Sequence, residues 1–333
     1  MSSPVVAITM GDPAGIGPEV IVKGFADASE HARPVVVGDA GVMREAVRAC
    51  GADTAVEAVD SVDAALAAEG IPVYDLDNVA DLEYGVVREA YGRAALEYVE
   101  RAIDLAVEDR VDAIATAPIN KQATRLAGAE HAGHTGLLAE RTGTTEYSMM
   151  LIEGPLRVTH VSTHVPLREA CDLVTTGSVR STIRVTDEAL RDLGLEGPTV
   201  AVAGLNPHAS DGGLLGDREE REIRPAVEAA REAGLDAVGP ESPDTVYARA
   251  IGGEFDCVVS MYHDQGHIPI KTLGAAEGRT VSGVNVTVGL PIVRTSVDHG
   301  TAFDIAGQGV ASAESLVQAV DTAARLAGAR SGR

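Results

Sequence analysis

Strand-length runs of aliphatic and β-branched residues alternate with amphipathic helical stretches along almost the whole chain. This alternation constrains the fold more than any other feature, because strands joined by crossover helices pair in parallel. Pro4 to Met10 reads as a strand, Pro34 to Val37 as a second, and Val111 to Thr116 as a buried strand ending in a Pro-Asn-Lys loop. Helical periodicity marks Gly41 to Ala49, Glu83 to Glu108, Ser178 to Leu193, Asp217 to Ala233 and Ser312 to Leu326. Pro18 suits a first helical residue, and Glu19 then sits in the turn where the helix dipole favours a carboxylate. The pattern predicts an α/β fold with a largely parallel sheet. No internal repeat, low-complexity tract or Gly/Ser linker marks a boundary, and Gly274 to Gly283, rich in Gly, Ala and Ser, reads as an exposed insertion.

At 333 residues the chain suits two lobes rather than one core. With 3% aromatic residues and no Trp, those cores must be built from Val, Ile, Leu and Ala. The formal charge of −23 opposes binding to nucleic acid or to an anionic membrane face. Lys23, Lys121 and Lys271 are the only lysines. An acidic, lysine-poor surface suits concentrated salt, where repulsion is screened, and salt adaptation is a corresponding expectation. Cys50, Cys171 and Cys257 lack metal or redox spacing, so a reducing cytoplasm is expected. The N-terminus lacks a basic n-region and no apolar run reaches membrane-spanning length, so neither a signal peptide nor a transmembrane helix is expected.

Three of the apolar runs close on a histidine: Val158 to His164, Val200 to His208 and Phe255 to His263. In an open α/β sheet, ligands bind beyond the carboxyl ends of the strands. Three imidazoles delivered there could meet around one divalent metal. The other reading is three unrelated loop or core histidines. Asp264 could orient an imidazole, and His267 follows His263 at a helical ligand spacing. Gly266 and Pro269 argue against a helix there, which leaves His267 outside the metal set.

Other loops carry polar groups. Gly11 to Glu19 is Gly-rich but fits neither the dinucleotide fingerprint, since Val20 stands where a third Gly is needed, nor a phosphate-binding P-loop. It reads either as an anion-binding helix entry or as a tight turn. Lys121 and Lys271 fall in strand-end loops, as anion partners or proton carriers, or as solvated charges. His134-Thr135 pairs an imidazole with a hydroxyl; Thr135 could equally cap a helix. Glu219 and Glu220 are expected on a solvated helix face. Arg294 offers a fork for carboxylate or phosphate, and Asp298-His299 could relay protons. No Ser-His-Asp hydrolase elbow is present.

Read together and in order, GDPAGIGPE at Gly11, APINK at Ala117, GHT at Gly133, NPHA at Asn206, YHDQG at Tyr262 and RTSVDHGTA at Arg294 resemble the 4-hydroxythreonine-4-phosphate dehydrogenase (PdxA) family from Met10 to about Gly307. The resemblance implies an isocitrate/isopropylmalate-dehydrogenase-like fold with two α/β/α lobes and a cleft between them. Approximate lobes are 1–135 with 285–333, and 136–284. It implies a homodimer whose active site is shared between subunits, NAD or NADP, and one divalent metal (Zn, Co, Ni, Mn or Mg) held by His164, His208 and His263 from both subunits. Substrate-binding positions carry over to His134, Thr135, Lys271, Asn285 and Arg294, with Lys121 a further candidate for the phosphate. Lys271 and Asp244 are the candidates for catalytic roles. The cofactor-binding residues are not assigned.

Some residues depart from the vitamin B6 pattern of GEPAGIGP, HTE and YHDQGLP: Asp12, Gly136, and His267-Ile268-Pro269. The stretch Thr301 to Gly307 resembles the branch acting on D-threonate or D-erythronate 4-phosphate. The implied reaction is oxidation and β-decarboxylation of such an acid to dihydroxyacetone phosphate and CO2. The alternatives are the vitamin B6 dehydrogenase and a non-enzymatic metal- or phosphate-binding protein.

Overall fold

The computed structural model describes residues 3–129, 134–276 and 283–331, the side chains of His134 and Thr135 excepted. The chain runs β1 (Val5–Thr9), α1 (Gly17–His31), β2 (Arg33–Gly38), α2 (Ala40–Cys50), β3 (Val56–Val59), α3 (Val62–Ala65), β4 (Ile71–Asp75), α4 (Glu89–Val107), β5 (Ala113–Thr116), α5 (Lys121–Leu126) and α6 (His134–Thr142). There follow β6 (Ser148–Glu153), β7 (Leu156–His160), α7 (Leu167–Leu173), α8 (Thr176–Asp192), β8 (Thr199–Ala203), α9 (Arg224–Glu232), β9 (Asp236–Glu241), α10 (Val246–Ile251), β10 (Cys257–Ser260), α11 (His263–Ala276) and β11 (Val284–Val288). The chain closes with β12 (Val293–Val297) and α12 (Glu314–Ser331).

Two compact units form, one from residues 1–143 with 291–333 and the other from 144–290. In the first, the strand order is β3-β4-β2-β1-β5-β12, every pairing parallel. The central strands β1, β2, β5 and β12 are buried on both faces, with Val6, Ile8, Val36 and Ile114 at 0–1% exposure, as a doubly covered parallel sheet requires, while β3 at the edge is only partly covered. In the second, the order is β11-β6-β7-β10-β8-β9. Here β11, β6 and β7 pair antiparallel, while β7, β10, β8 and β9 run parallel. Its core gathers Leu151, Val158, Ala201, Tyr247, Phe255 and Val258. No helix among the described residues is long and apolar enough to cross a membrane.

Several elements differ from the sequence expectation, each for a local reason. The helix expected from Glu83 begins at Glu89. Gly85 is left-handed at φ +73° and donates its N–H to the Ala14 carbonyl, while the Tyr91 hydroxyl accepts from the Glu83 N–H and donates to the Asp81 carbonyl. Those bonds satisfy the backbone without a helix. The helix expected over Asp217 to Ala233 splits into a π-turn at Glu219–Ile223 and α9, because Pro225 has no N–H to continue the ladder. The expected insertion at Gly274 is helical through Ala276, and residues 277–282 lie outside the described residues.

Candidate active site

Strands β7, β10 and β8 are parallel neighbours, so their carboxyl ends open on one side of the second unit. Each strand stops before its histidine: β7 at His160, β8 at Ala203 and β10 at Ser260. The following loops carry His164 and His208, and His263 opens α11. The His164 and His263 ring centroids lie 5.5 Å apart. His263 Nδ1 meets Asp264 Oδ1 at 2.7 Å, which leaves Nε2 as the nitrogen that could serve a ligand.

The break expected at Gly266 and Pro269 does not occur; α11 runs through both. Gly266 lets the helix lie directly on β7 and β10. A Cβ there would stand 2.5 Å from both His160 Nε2 and Val158 Cγ1, and 2.8 Å from Ser260 Oγ. Packing at this range outweighs the one ladder bond that Pro269 forfeits. The helix brings His267 onto His263, with centroids 3.6 Å apart and planes 12° apart, and His267 Nδ1 donates to the His263 carbonyl at 3.0 Å. His160, the last residue of β7, lies with its ring centroid 4.8 Å from that of His267, the planes tilted by 44°, and bonds the Met149 carbonyl through Nδ1. Burial pushes the His160 pKa down to about 3, so this ring stays neutral.

His208 sits on an unusual backbone. His208, Ala209, Ser210 and Asp211 have φ of 53°, 50°, 68° and 47°, a left-handed run of four non-glycine residues that Gly212 continues at 66°. Each such residue costs about 1–2 kcal/mol, so the turn must be held from outside. Gly204 gives it room: a Cβ there would lie 2.9 Å from Ala209 Cα and 3.3 Å from Glu219 Oε1. Glu219, expected on a solvated face, is fully buried. Its Oε1 accepts the Asn206 N–H at 2.6 Å and its Oε2 the Asn206 side-chain amide at 3.0 Å. Glu220 stays exposed and pairs with Arg224. The His208 ring is 65% exposed, with Nδ1 3.8 Å from Asp244 Oδ2. The Ser242 hydroxyl, donating to Asp244 at 2.7 Å, holds that carboxyl below its ordinary pKa.

Lys271 lies on α11 rather than in a loop, and is exposed. Asn285 is on β11, and its buried Oδ1 has no hydrogen-bond partner among the described residues. In the first unit, Arg294 is buried on β12 and donates from Nη2 to Thr116 Oγ1 at 2.7 Å; burial lowers its pKa to about 10. Lys121 opens α5, exposed. The side chains of His134 and Thr135 lie outside the described residues. The Gly11 loop is filled by the protein itself: a Cβ on Gly11 would meet the Pro118 carbonyl at 2.3 Å, and one on Gly17 the Met10 carbonyl at 2.3 Å. Asp12 within it is fully buried, and desolvation raises its pKa to about 6. Glu19 is buried too, accepting the backbone N–H of Gly307 and, at 2.8 Å, of Gly309. His299 Nδ1 lies 3.0 Å from the Gly300 carbonyl.

Residues 30–323 match the family model described as pyridoxal phosphate biosynthetic protein PdxA. The chain belongs to the PdxA family. A D-threonate 4-phosphate dehydrogenase from Cupriavidus necator is 47% identical over 97% of both chains. A 4-hydroxythreonine-4-phosphate dehydrogenase from Desulfosudis oleivorans is 45% identical, covering 96% of this chain and 95% of its own. The crystal structure of a 4-hydroxythreonine-4-phosphate dehydrogenase from Klebsiella pneumoniae superposes with a TM-score of 0.85 at 44% identity, over 98% of each chain. The α/β architecture is thus the PdxA fold.

The donor chemistry of this PdxA chain fits a divalent cation. Two imidazoles on one tetrahedral metal, bonded at about 2.0–2.1 Å, place their ring centroids about 5 Å apart. The His164–His263 pair meets that spacing. Among the described residues of one chain, no three His, Cys, Asp or Glu side chains form a complete metal-binding group. The set expected from the family draws on two subunits. His160, Gly266, His267 and Glu219 were not singled out as site residues by sequence. A histidine inside the apolar run Val158 to Val161 was the one available signal; Glu219 is hidden in the charged run Arg218 to Arg224.

Proposed function

We propose that this protein is a dehydrogenase of a 4-phosphorylated four-carbon hydroxy acid, of the D-threonate or D-erythronate 4-phosphate type, oxidising and β-decarboxylating it to dihydroxyacetone phosphate and CO2. Relatives named as dehydrogenases of D-threonate 4-phosphate and of 4-hydroxythreonine 4-phosphate support an oxidoreductase acting on a phosphorylated hydroxy acid. The observation that carries the metal-dependent reading is the His164–His263 pair at the carboxyl ends of parallel strands.

His164, His208 and His263 are the residues to hold a divalent cation, in a homodimer whose subunits both contribute. The 65% exposure of the His208 ring supports a ligand supplied across a subunit boundary. When bound, the cation supplies positive charge to the substrate hydroxyl and to the oxygen that gains charge as CO2 leaves, and NAD or NADP accepts the hydride. Asp264 keeps the His263 ring oriented through Nδ1. Asp244, held ionised by Ser242, stands beside His208 to orient it or to accept a proton at Oδ2. Lys271 is assigned proton handling at Nζ. Substrate binding is assigned to His134, Thr135, Lys271, Asn285 and Arg294, with Lys121 a further candidate for the phosphate. The Asn285 Oδ1 suits a hydroxyl donor, and Arg294 suits an anionic oxygen.

The test is reduction of NAD by purified protein with 4-phospho-D-threonate and 4-phospho-D-erythronate, compared with 4-phosphohydroxy-L-threonine, across several divalent metals. Preferred turnover of the first two supports the reading. Preference for the third supports the vitamin B6 activity, which the 45% identity to a dehydrogenase of that name favours. No metal-dependent turnover with any of them rejects both.

A further inference from the structure

We infer that Glu219 is a positioning residue for His208: its buried carboxylate clasps Asn206 and so holds the left-handed turn that presents the imidazole. The inference rests on the metal-binding role proposed for His208 and goes beyond it, because Glu219 itself touches neither metal nor substrate.

A carboxylate removed from water needs strong donors, and Glu219 has two, both from Asn206, one for each oxygen at 2.6 and 3.0 Å. Together they close the loop between residues 206 and 219. The π-turn is what aims the carboxylate inward. Arg224 donates its N–H to the Glu219 carbonyl, five residues back, and the widened turn rotates Glu219 away from the exposed face occupied by Glu220 and Arg221. Above the clasp, the run from His208 to Asp211 has no low-energy reason to be left-handed. Gly204 and Gly216 admit the clasp. A Cβ on Gly204 would press on Ala209 Cα at 2.9 Å, and one on Gly216 on Asn206 Nδ2 at 2.8 Å. The loop also folds on itself, Leu215 and Gly213 both donating to the Ser210 carbonyl at 3.0 Å. Loss of the clasp releases the turn toward ordinary backbone angles and swings His208 out of register.

Glu219→Gln keeps the volume but sets an amide N–H₂ against one of the two Asn206 donors. Chelator-stripped full-length protein is titrated with Co(II), read by chelator competition and by the Co(II) absorption band, alongside thermal melting without metal. The inference predicts a 10–100-fold loss of Co(II) affinity in folded E219Q. It also predicts an altered band and a shifted His208 imidazole signal by NMR in the metal-free state. Adding Ala209→Gly, which relaxes the left-handed strain, is predicted to recover part of the affinity in E219Q. Wild-type affinity and band in E219Q, while His208→Ala has lost the metal, overturn the inference and leave the metal reading standing. Wild-type affinity in H208A overturns both. Should E219Q not fold, Asn206→Ala removes only the side-chain half of the clasp. A several-fold affinity loss supports the inference, and an unchanged affinity and His208 signal overturn it.

Discussion

The His263 and His267 imidazoles stack with centroids 3.6 Å apart, and His267 Nδ1 donates to the His263 carbonyl at 3.0 Å. A ring held against a metal ligand restricts its rotation. His267→Ala is predicted to lower metal affinity about 10-fold, in the range for partners that orient a ligand. His267→Phe keeps the stacked face and loses the donor, and should fall between. Metal titration of chelator-stripped variants measures both; wild-type affinity in H267A would remove the stack from the account.

Gly266 separates α11 from β7 by less than a methyl group. Gly266→Ala forces a Cβ to 2.5 Å from His160 Nε2, an overpacking predicted to cost about 2–3 kcal/mol and to displace His263. Gly274→Ala on the same helix meets Glu153 Cδ at 3.4 Å, an ordinary contact. It is predicted to be neutral or stabilising by about 0.5–1 kcal/mol through helix propensity. Urea unfolding of the two variants checks the contrast.

Asp12 gives a pH signature. Its carboxyl pKa is raised by burial from 3.8 to about 6, so between those values the folded protein holds a proton that the unfolded chain has released. Its contribution is fully present below the unfolded pKa and is lost as pH rises through the folded one. Asp12→Asn, neutral throughout, should gain stability over wild type across that window, levelling off above about pH 6 at roughly 3 kcal/mol. Urea unfolding at several pH values reads the difference. A constant offset from pH 4 to 8 would contradict it.

Glu19 anchors the segment before α12 by accepting the N–H groups of Gly307 and Gly309. Glu19→Gln turns one acceptor into a donor facing an N–H. The predicted cost is about 2 kcal/mol, seen as a lower melting temperature. An unchanged melting temperature would mean the two bonds add nothing to stability.

The parallel α/β layout was legible because its signal is periodic and local. The elements β1, β2, β5, α2 and α8 lie within a few residues of the apolar runs that predict them. The histidines at strand ends were legible for the same reason: a strand pattern breaking into polar residues marks a carboxyl-end loop. What escaped depends on tertiary contacts. Gly266 and Pro269 oppose a helix locally, yet α11 forms because β7 and β10 lie directly beneath it. Glu219 reads as one charge among several, and only a π-turn separates its buried side chain from exposed Glu220. The left-handed turn at His208 carries Ala209 and Ser210 where local rules would ask for Gly, so sequence gives no hint of it.

Metal content and NAD reduction, followed in one set of preparations, decide whether His164, His208 and His263 hold the metal on which turnover depends. Wild type and His164→Ala, His208→Ala and His263→Ala variants are stripped with chelator and then titrated with a single divalent metal. Wild type is expected to bind one metal per chain, with activity returning in step with occupancy. Each variant should lose both tight metal binding and turnover. Full NAD reduction by metal-free wild type, or tight metal binding retained by all three variants, would contradict it.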